Sequence, residues 1–323
     1  MLSLNPALDI EWRTDGIRWE EKNAIQSEVR WAGGKGVNVA RWLRLLGSKP
    51  QLVLPLGGEN GRELAASLRQ ERLPARVIRL REPTRANVVI TDPSGRQMRF
   101  NRAGPRLHAR EWRKIQEVVR ENISHAGLLI LSGSLPRGVP VIAYARFIRQ
   151  AHRLGVRTLL DCDGEAFAAA VWEHPFLVKP NEHELAQWRR CPLRTETEVV
   201  AAARALSEAT RGWVLVSRGA KSGLLIHAGE RVCLRAIPPR LKPLNRLGAG
   251  DALLAGAARQ IECGFPPEEW LRQGLAAGSV ATQCKAGVAC KPAVVTQFDK
   301  EVRVAVLPCT VQAEGRDYSR PSR

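Results

Sequence analysis

The run Leu247-Gly248-Ala249-Gly250-Asp251-Ala252 combines a tight turn, free amides and a carboxylate. Small residues let a backbone turn approach a ligand closely. An apolar stretch to Ala258 follows, so the turn opens a helix. The free N–H groups of Gly248, Ala249 and Gly250 would then bind an anion such as a phosphate. Asp251 falls in the first helical turn, beside that anion. A carboxylate there can take a proton from an attacking hydroxyl, the general-base step of phosphoryl transfer. Taken alone, the plainer reading is a helix start with a favourable acidic residue. A second small-residue cluster, Ala32-Gly33-Gly34-Lys35-Gly36-Val37-Asn38-Val39-Ala40, also precedes a helix. Lys35 offers a cation for a phosphate, and Asn38 offers donor and acceptor for sugar hydroxyls. The spacing is not that of a Walker A loop. Alone, this cluster reads as a tight turn with an exposed lysine.

Such residues need elements to hold them. Short apolar runs bounded by Gly or Pro read as buried strands: Gln51 to Pro55, Gly127 to Leu131, Arg157 to Leu160, Phe176 to Val178 and Trp213 to Val216. Between them lie helical stretches, Gly36 to Leu46, Glu111 to Asn122, Pro140 to Leu154 and Glu196 to Ala209. The alternation predicts an α/β fold with a doubly wound parallel sheet. Two segments break the rhythm. Residues 9–31 carry Trp12, Trp19 and Trp31 among polar residues. Residues 84–101 read as a hairpin, Asn87 to Thr91 and Gln97 to Phe100 about a Pro-Ser-Gly turn. Together they predict a small antiparallel sheet projecting from the main layer, with aromatics that a partner would cover.

Composition narrows the classes. The 323 residues are 44% hydrophobic and 25% charged, which excludes wholesale disorder. No apolar run is long enough for a membrane span, and Met1 to Asp9 lacks the pattern of a secretory signal. The net charge of +18 makes nucleic acid, a membrane surface or anionic small molecules conceivable partners. The arginines are scattered and no nucleic-acid motif accompanies them, so the expectation is neither nucleic acid nor membrane. The seven cysteines include no C-x-x-C, so neither a zinc site nor a disulfide framework is expected, and a reduced cytoplasmic compartment fits.

The order of motifs goes further than any one of them. Asn5-Pro6-Ala7-Leu8-Asp9, then the Gly33-Gly34-Lys35-Gly36 cluster, Thr84-Arg85-Ala86-Asn87, Ser132-Gly133-Ser134-Leu135-Pro136, Asp161-Cys162-Asp163-Gly164-Glu165, Lys179-Pro180-Asn181-Glu182-His183-Glu184 and Gly248-Ala249-Gly250-Asp251 follow one another. This series resembles the ribokinase-like (PfkB) carbohydrate kinases, in their phosphofructokinase and tagatose-phosphate kinase branch. The resemblance runs from about residue 2 to about residue 298. It implies a ribokinase-like, mostly parallel sheet with a small β-sheet lid. The kinase domain would span 1–300, with lid segments at about 10–31 and 84–102 and a C-terminal tail at 301–323.

The resemblance also implies roles. Asp9 would hold sugar hydroxyls, with Gly33, Gly34, Lys35, Asn38 and Ser134 lining the sugar site. Arg85 would grip the phosphate already on the substrate, since a guanidinium matches phosphate bidentately. Lys179 and Asn181 would lie near the ATP phosphates, Glu184 would act on Mg2+ through water, and Ser217, Gly219, Ser222 and Ser279 would line the nucleotide side. By residue type alone, Asn181 and Glu184 also read as a helix capping box. Asp251 would be the base, with the amides at 248–250 supporting the transferred phosphoryl. The implied reaction is ATP-dependent phosphorylation of fructose 1-phosphate, with fructose 6-phosphate and tagatose 6-phosphate as alternatives. A homodimer through the lid is implied, with Lys22 reaching a neighbour's nucleotide.

Some positions depart from the family pattern. Arg246-Leu247 precedes the Gly-Ala-Gly-Asp turn where Thr-Val or Ser-Val is usual. Ser222 replaces a glycine and would be strained at positive φ. Cys284-Lys285-Ala286-Gly287 stands where a Gly-rich loop often helps bind a monovalent cation, which leaves potassium dependence open. Arg246 and Ser222 also keep a further alternative in view, a catalytically impaired relative that binds sugar phosphates.

Overall fold

Strands whose side chains alternate between two apolar faces must be covered on both, and this chain does so with helices. In the computed structural model, residues 1–245, 247–284 and 292–308 are described. The first part contains β1 (Ala7–Thr14), β2 (Ile25–Gly33), α1 (Lys35–Leu45), β3 (Leu52–Gly57), α2 (Gly58–Gln70), β4 (Ala75–Leu80), β5 (Arg85–Thr91) and β6 (Gln97–Asn101). Then come α3 (Ala109–Ile123), β7 (Leu128–Ser132), α4 (Ala143–Arg153), β8 (Arg157–Asp161), α5 (Gly164–Ala170), β9 (Leu177–Val178), α6 (Glu182–Arg189) and α7 (Glu196–Thr210). The last part holds β10 (Trp213–Ser217), β11 (Gly223–His227), β12 (Val232–Ile237), α8 (Ala249–Glu262), α9 (Pro267–Gln283), α10 (Pro292–Asp299) and β13 (Arg303–Val306).

The central sheet runs from β7 to β13 in sequence order, parallel as far as β10. Leu2 bridges β3 on one side and β7 on the other, which joins the β3–β4 pair to the same layer. Along β7, Leu129 and Leu131 pack with α3 and α4, while Ile130 packs with α8 and α9. That period of two is what a sheet buried on both faces requires. The five expected strands and four expected helices are all present, with ends shifted by up to three residues.

Four features differ from the sequence reading. β11, β12 and β13 are antiparallel, so the sheet is mixed at that edge. An apolar run such as Gly223–His227 carries no local mark of strand direction. The expected tail begins with β13, which pairs with β12 and belongs to the main layer; residues 309–323 lie outside the described part. The lid is a four-stranded sheet, β2-β1-β5-β6, but its central pair β1–β5 is parallel rather than antiparallel. Cys284 is disulfide-bonded, against the expectation of reduced thiols, while Cys162, Cys191 and Cys263 are free.

Candidate active site

In an open α/β sheet, ligands meet the C-terminal ends of the parallel strands. Here Asp161 ends β8, and Lys179 follows β9 directly. Lys179 Nζ lies 3.3 Å from Asp161 Oδ1, and Lys35 Nζ approaches the same oxygen at 3.3 Å. Lys35 also stands 3.5 Å from Glu184 Oε1. Burial pushes the Asp161 carboxyl up, but the two ammonium groups outweigh it and hold it below the usual carboxylate range. Burial likewise opposes the charge on Lys35, yet Asp161, Glu184 and Asp251 raise its pKa. Lys35 thus pairs with carboxylates while lining the cavity that also holds Asp9 and Arg85. Asp161 Oδ2 is buried without a hydrogen-bond partner.

The Gly-Ala-Gly-Asp turn closes over this floor. Gly248 caps α8 in the left-handed region, at φ 75°, which a side chain would strain. The turn carries Asp251 into the interior, where it is 7% exposed. Asn38 Nδ2 donates to Asp251 Oδ2 at 2.9 Å. Burial, followed by the negative charge of Asp161, pushes the Asp251 pKa up to about 6, against the pull of Asn38, Lys35 and Lys179. Two carboxyls set apart by their surroundings mark a division of roles: Asp161 stays ionised, and Asp251 can exchange a proton near neutral pH.

The lid contributes the opposite wall of a cavity of about 540 Å³. Asp9 and Asn87 are cross-strand neighbours, and Asn87 Nδ2 donates to Asp9 Oδ1 at 2.9 Å. Burial pushes the Asp9 carboxyl up. A Cβ at Gly33 would land on the Asp9 carboxylate, which explains a glycine there; the Gly34 amide bonds the same group. Arg85 donates to the carbonyls of Arg102 at 2.8 Å and Asn5 at 2.9 Å, and its Nε is buried without a partner. Asn5 Nδ2 donates to Ser134 Oγ at 3.1 Å. Asp9, Gly34, Lys35, Asn38, Arg85 and Ser134 thus share one cavity with Asp251.

A second, more apolar cavity of about 360 Å³ adjoins the turn and is lined by Gly219, Ser222, Pro238, Leu253 and Ser279. Ser217 and Gly250 line both cavities. Asn181 Oδ1 accepts from the Glu184 amide and Glu184 Oε2 accepts from the Asn181 amide, each at 2.8 Å, so the expected capping box is formed. Glu184 Oε1 is left facing Lys35. Ser222 does not take a positive φ, so the expected strain is absent. Its hydroxyl accepts instead from Arg218 Nη1 at 2.9 Å. Arg218 is itself ion-paired with Glu182 at 3.1 Å and with Glu196.

Comparison with known proteins decides the family. The pfkB family carbohydrate kinase model matches residues 7–294. The chain belongs to the pfkB family of carbohydrate kinases. It is 34% identical over 284 residues to ATP-dependent 6-phosphofructokinase isozyme 2 of Escherichia coli (strain K12), covering 87% of this chain and 91% of that protein. It is 32% identical over 292 residues to 1-phosphofructokinase of Haemophilus influenzae, covering 89% and 92%. A crystal structure of phosphofructokinase-2 from Escherichia coli in complex with substrates and products superposes with a TM-score of 0.87 at 32% identity, over 93% of this chain and 97% of that one.

The site of this pfkB kinase also contains residues to which the sequence reading gave no role. Asp161 is the hub of the floor; its place at a strand's C-terminal end was the available signal. Asn87 holds Asp9, and period-two pairing with β1 was its signal. Arg41 lies three residues beyond Asn38, on the same helix face, and lines the larger cavity. Lys22 is exposed in the lid loop. Arg246 and residues 285–287 lie outside the described residues, so the readings placed on them find no counterpart here. Among the described residues, no group of three or more His, Cys, Asp or Glu side chains forms a metal cage. The orphaned Asp161 oxygen and Glu184 fit a hydrated Mg2+ carried in on phosphates better than a dedicated protein site. No described helix is long and apolar enough to cross a membrane.

Proposed function

We propose that this kinase transfers the γ-phosphoryl of ATP to the free hydroxymethyl of a ketohexose phosphate, fructose 1-phosphate first, with Asp251 as the base. The observation that carries the reading is the position of Asp251. It lies buried against the cavity that Asp9, Asn87 and Arg85 wall, beside the amides of Gly248, Ala249 and Gly250 that open α8.

Asp9 and Asn38 hold sugar hydroxyls, and Arg85 receives the resident phosphate. ATP lies with its base in the apolar cavity near Ser279 and its phosphates toward Ser217, Asn181 and Lys179. A Cβ added at Gly250 would meet Lys179 Nζ at 3.6 Å, so a cation stands beside the turn that receives the phosphoryl. Asp251 accepts the hydroxyl proton, the oxygen bonds to the γ-phosphorus, the bond to the β–γ bridging oxygen breaks, and ADP leaves. The first-turn amides of α8 and Lys179 stabilise the charge on the phosphoryl. Mg2+ bound with the nucleotide would neutralise phosphate charge, held by Glu184 through water and by Asp161.

Fructose 6-phosphate is the second reading, favoured by the 34% identity to the Escherichia coli 6-phosphofructokinase isozyme. Homodimerisation through the lid is part of the proposal. Trp19 is 78% exposed, and Ile17, Ile25, Val29 and Phe100 are exposed on the same small sheet and its loop. The test is a coupled ADP-release assay with Mg-ATP on fructose 1-phosphate, fructose 6-phosphate, tagatose 6-phosphate, fructose, ribose and adenosine. Turnover on one phosphorylated ketohexose is expected. Turnover only on an unphosphorylated acceptor, or on none, overturns the reading.

A further inference from the structure

The base is held by an amide, and the amide is held in turn. Arg41 Nη1 donates to Asn38 Oδ1 at 3.0 Å, while Asn38 Nδ2 donates to Asp251 Oδ2 at 2.9 Å. A guanidinium has donors only, so it accepts nothing from an amide N–H. The Asn38 carbonyl must therefore face Arg41, and its NH2 must face Asp251. Arg41 cannot swing away easily. Its Nε and Nη2 bond the two oxygens of Glu71 at 2.6 and 2.9 Å, and Nη2 also bonds the Ala32 carbonyl at 2.7 Å. Glu71 caps the C-terminal end of α2, and Ser67 Oγ donates to it at 3.2 Å. This fork-to-fork pairing fixes the guanidinium plane as well as its position.

We propose that Arg41 is a positioning residue for phosphoryl transfer: braced by Glu71, it fixes the Asn38 amide so that an N–H, not the carbonyl, meets the base Asp251. This rests on the assignment of Asp251 as base. The bond holds Oδ2 of the carboxylate in place and leaves Oδ1 for the substrate hydroxyl. It also favours the ionised form that a base needs. With Arg41 gone, the amide is free to turn and present its carbonyl to the carboxylate, which repels the ionised form. The other groups that face Asp251 are unchanged by this turn: Asp161 at the end of β8, Lys179 after β9, and Lys35 on α1.

The test is a double-mutant cycle in the intact kinase, with the sugar phosphate that it turns over best. Arg41→Met should lower kcat about 10- to 100-fold, the range for a hydrogen bond to a charged group, with the sugar-phosphate KM within about 3-fold. In an Asn38→Ala background the same change should lower kcat by less than about 3-fold, because Arg41 acts through Asn38. The acid limb of the kcat–pH profile should move up by about one pH unit in Arg41→Met. Glu71→Gln, outside the cavity, should reproduce the same pattern more weakly and guards against misfolding of the first variant. Equal kcat losses in both backgrounds, or a loss that falls on KM, overturn the proposal and make Arg41 a direct ligand of the substrate. Asp251→Asn is run alongside. Near-normal turnover there would remove the base itself, a failure distinct from additivity in the cycle.

Discussion

The floor and the lid of this kinase hold their polar groups by different means. On the floor, Asp161 is 1% exposed and shared by two ammonium groups, one of them, Lys179, itself buried. Charges there are fixed by one another in a low-dielectric setting, where an unpaired charge is costly. In the lid, Asp9 is held by a neutral amide, Arg85 by backbone carbonyls, and much of β2 is solvent-exposed. Its buried contacts lie mostly along β1, where Ala7, Leu8, Ile10 and Glu11 are covered. Under the proposed function the difference separates two tasks: the floor would set protonation and charge for the chemical step, and the lid would set which ligand is held.

If that division is right, the largest effect comes from Asp251. Asp251→Asn should lower kcat by about 10²–10⁴-fold and leave sugar-phosphate KM within about 3-fold, as expected for loss of a general base. In the unaltered enzyme, kcat should rise with pH through about 6, where Asp251 loses its proton. Stability runs the other way. The folded pKa lies above the unfolded value, so the contribution of Asp251 is most favourable below the unfolded pKa and is lost as pH rises through about 6. Asp251→Asn should therefore raise Tm at neutral pH, with the gain shrinking in acid. A Tm that falls at neutral pH would break the claim that the floor trades stability for chemistry.

Next in size is Asp161→Asn. It leaves the buried Lys179 and the half-buried Lys35 facing each other without their shared carboxylate. Removing one partner of a buried pair costs about 3 kcal/mol or more, readable as a lowered urea midpoint. Since Asp161 raises the pKa of Asp251, the acid limb of kcat should also move down. An unchanged midpoint would show that floor charges are not mutually fixed.

The lid counterpart is Asp9→Asn. The loss should fall on the sugar-phosphate KM, about 10- to 100-fold, with a smaller change in kcat. Denaturation should shift less than in Asp161→Asn, because Asp9 is hydrogen-bonded to neutral groups and meets Arg85 and Arg41 only through space. A kcat loss as large as that of Asp251→Asn would merge the two regions that the comparison keeps apart.

Much of this was legible before any coordinates. The α/β alternation, the hairpin of β5 and β6 and the Gly-Ala-Gly-Asp turn follow from local patterns, because periodicity and turn chemistry are written within a few residues. What escaped is non-local. Nothing near Gly223 says that β11 runs antiparallel, and nothing near Asp9 says that its lid partner Asn87 lies parallel to it. Lys35 has the charge expected of a phosphate ligand, but its direction is set by Asp161 and Glu184, more than a hundred residues away. Arg41 was hidden by numbers: with 50 Lys and Arg in the chain, only its contacts set it apart.

The smallest effect sharpens the lid side of the comparison. Trp12 donates to Glu28 at 2.7 Å and Trp31 is buried against the cavity, so of the three lid tryptophans only Trp19 stands clear of its own fold. A side chain that makes few contacts within its own subunit contributes little to folding, so Trp19→Ser should change unfolding free energy by no more than about 0.5 kcal/mol. An exposed tryptophan at the centre of an association surface is another matter, since such anchors carry about 2 kcal/mol or more of binding energy. Sedimentation velocity over a dilution series should therefore show dimer dissociation at roughly 10-fold higher concentration or more. Floor variants such as Asp251→Asn should leave that curve in place. A Trp19→Ser protein that melts early but stays dimeric would mean that the lid loop packs within its own subunit, and the lid would then be built on the same principle as the floor.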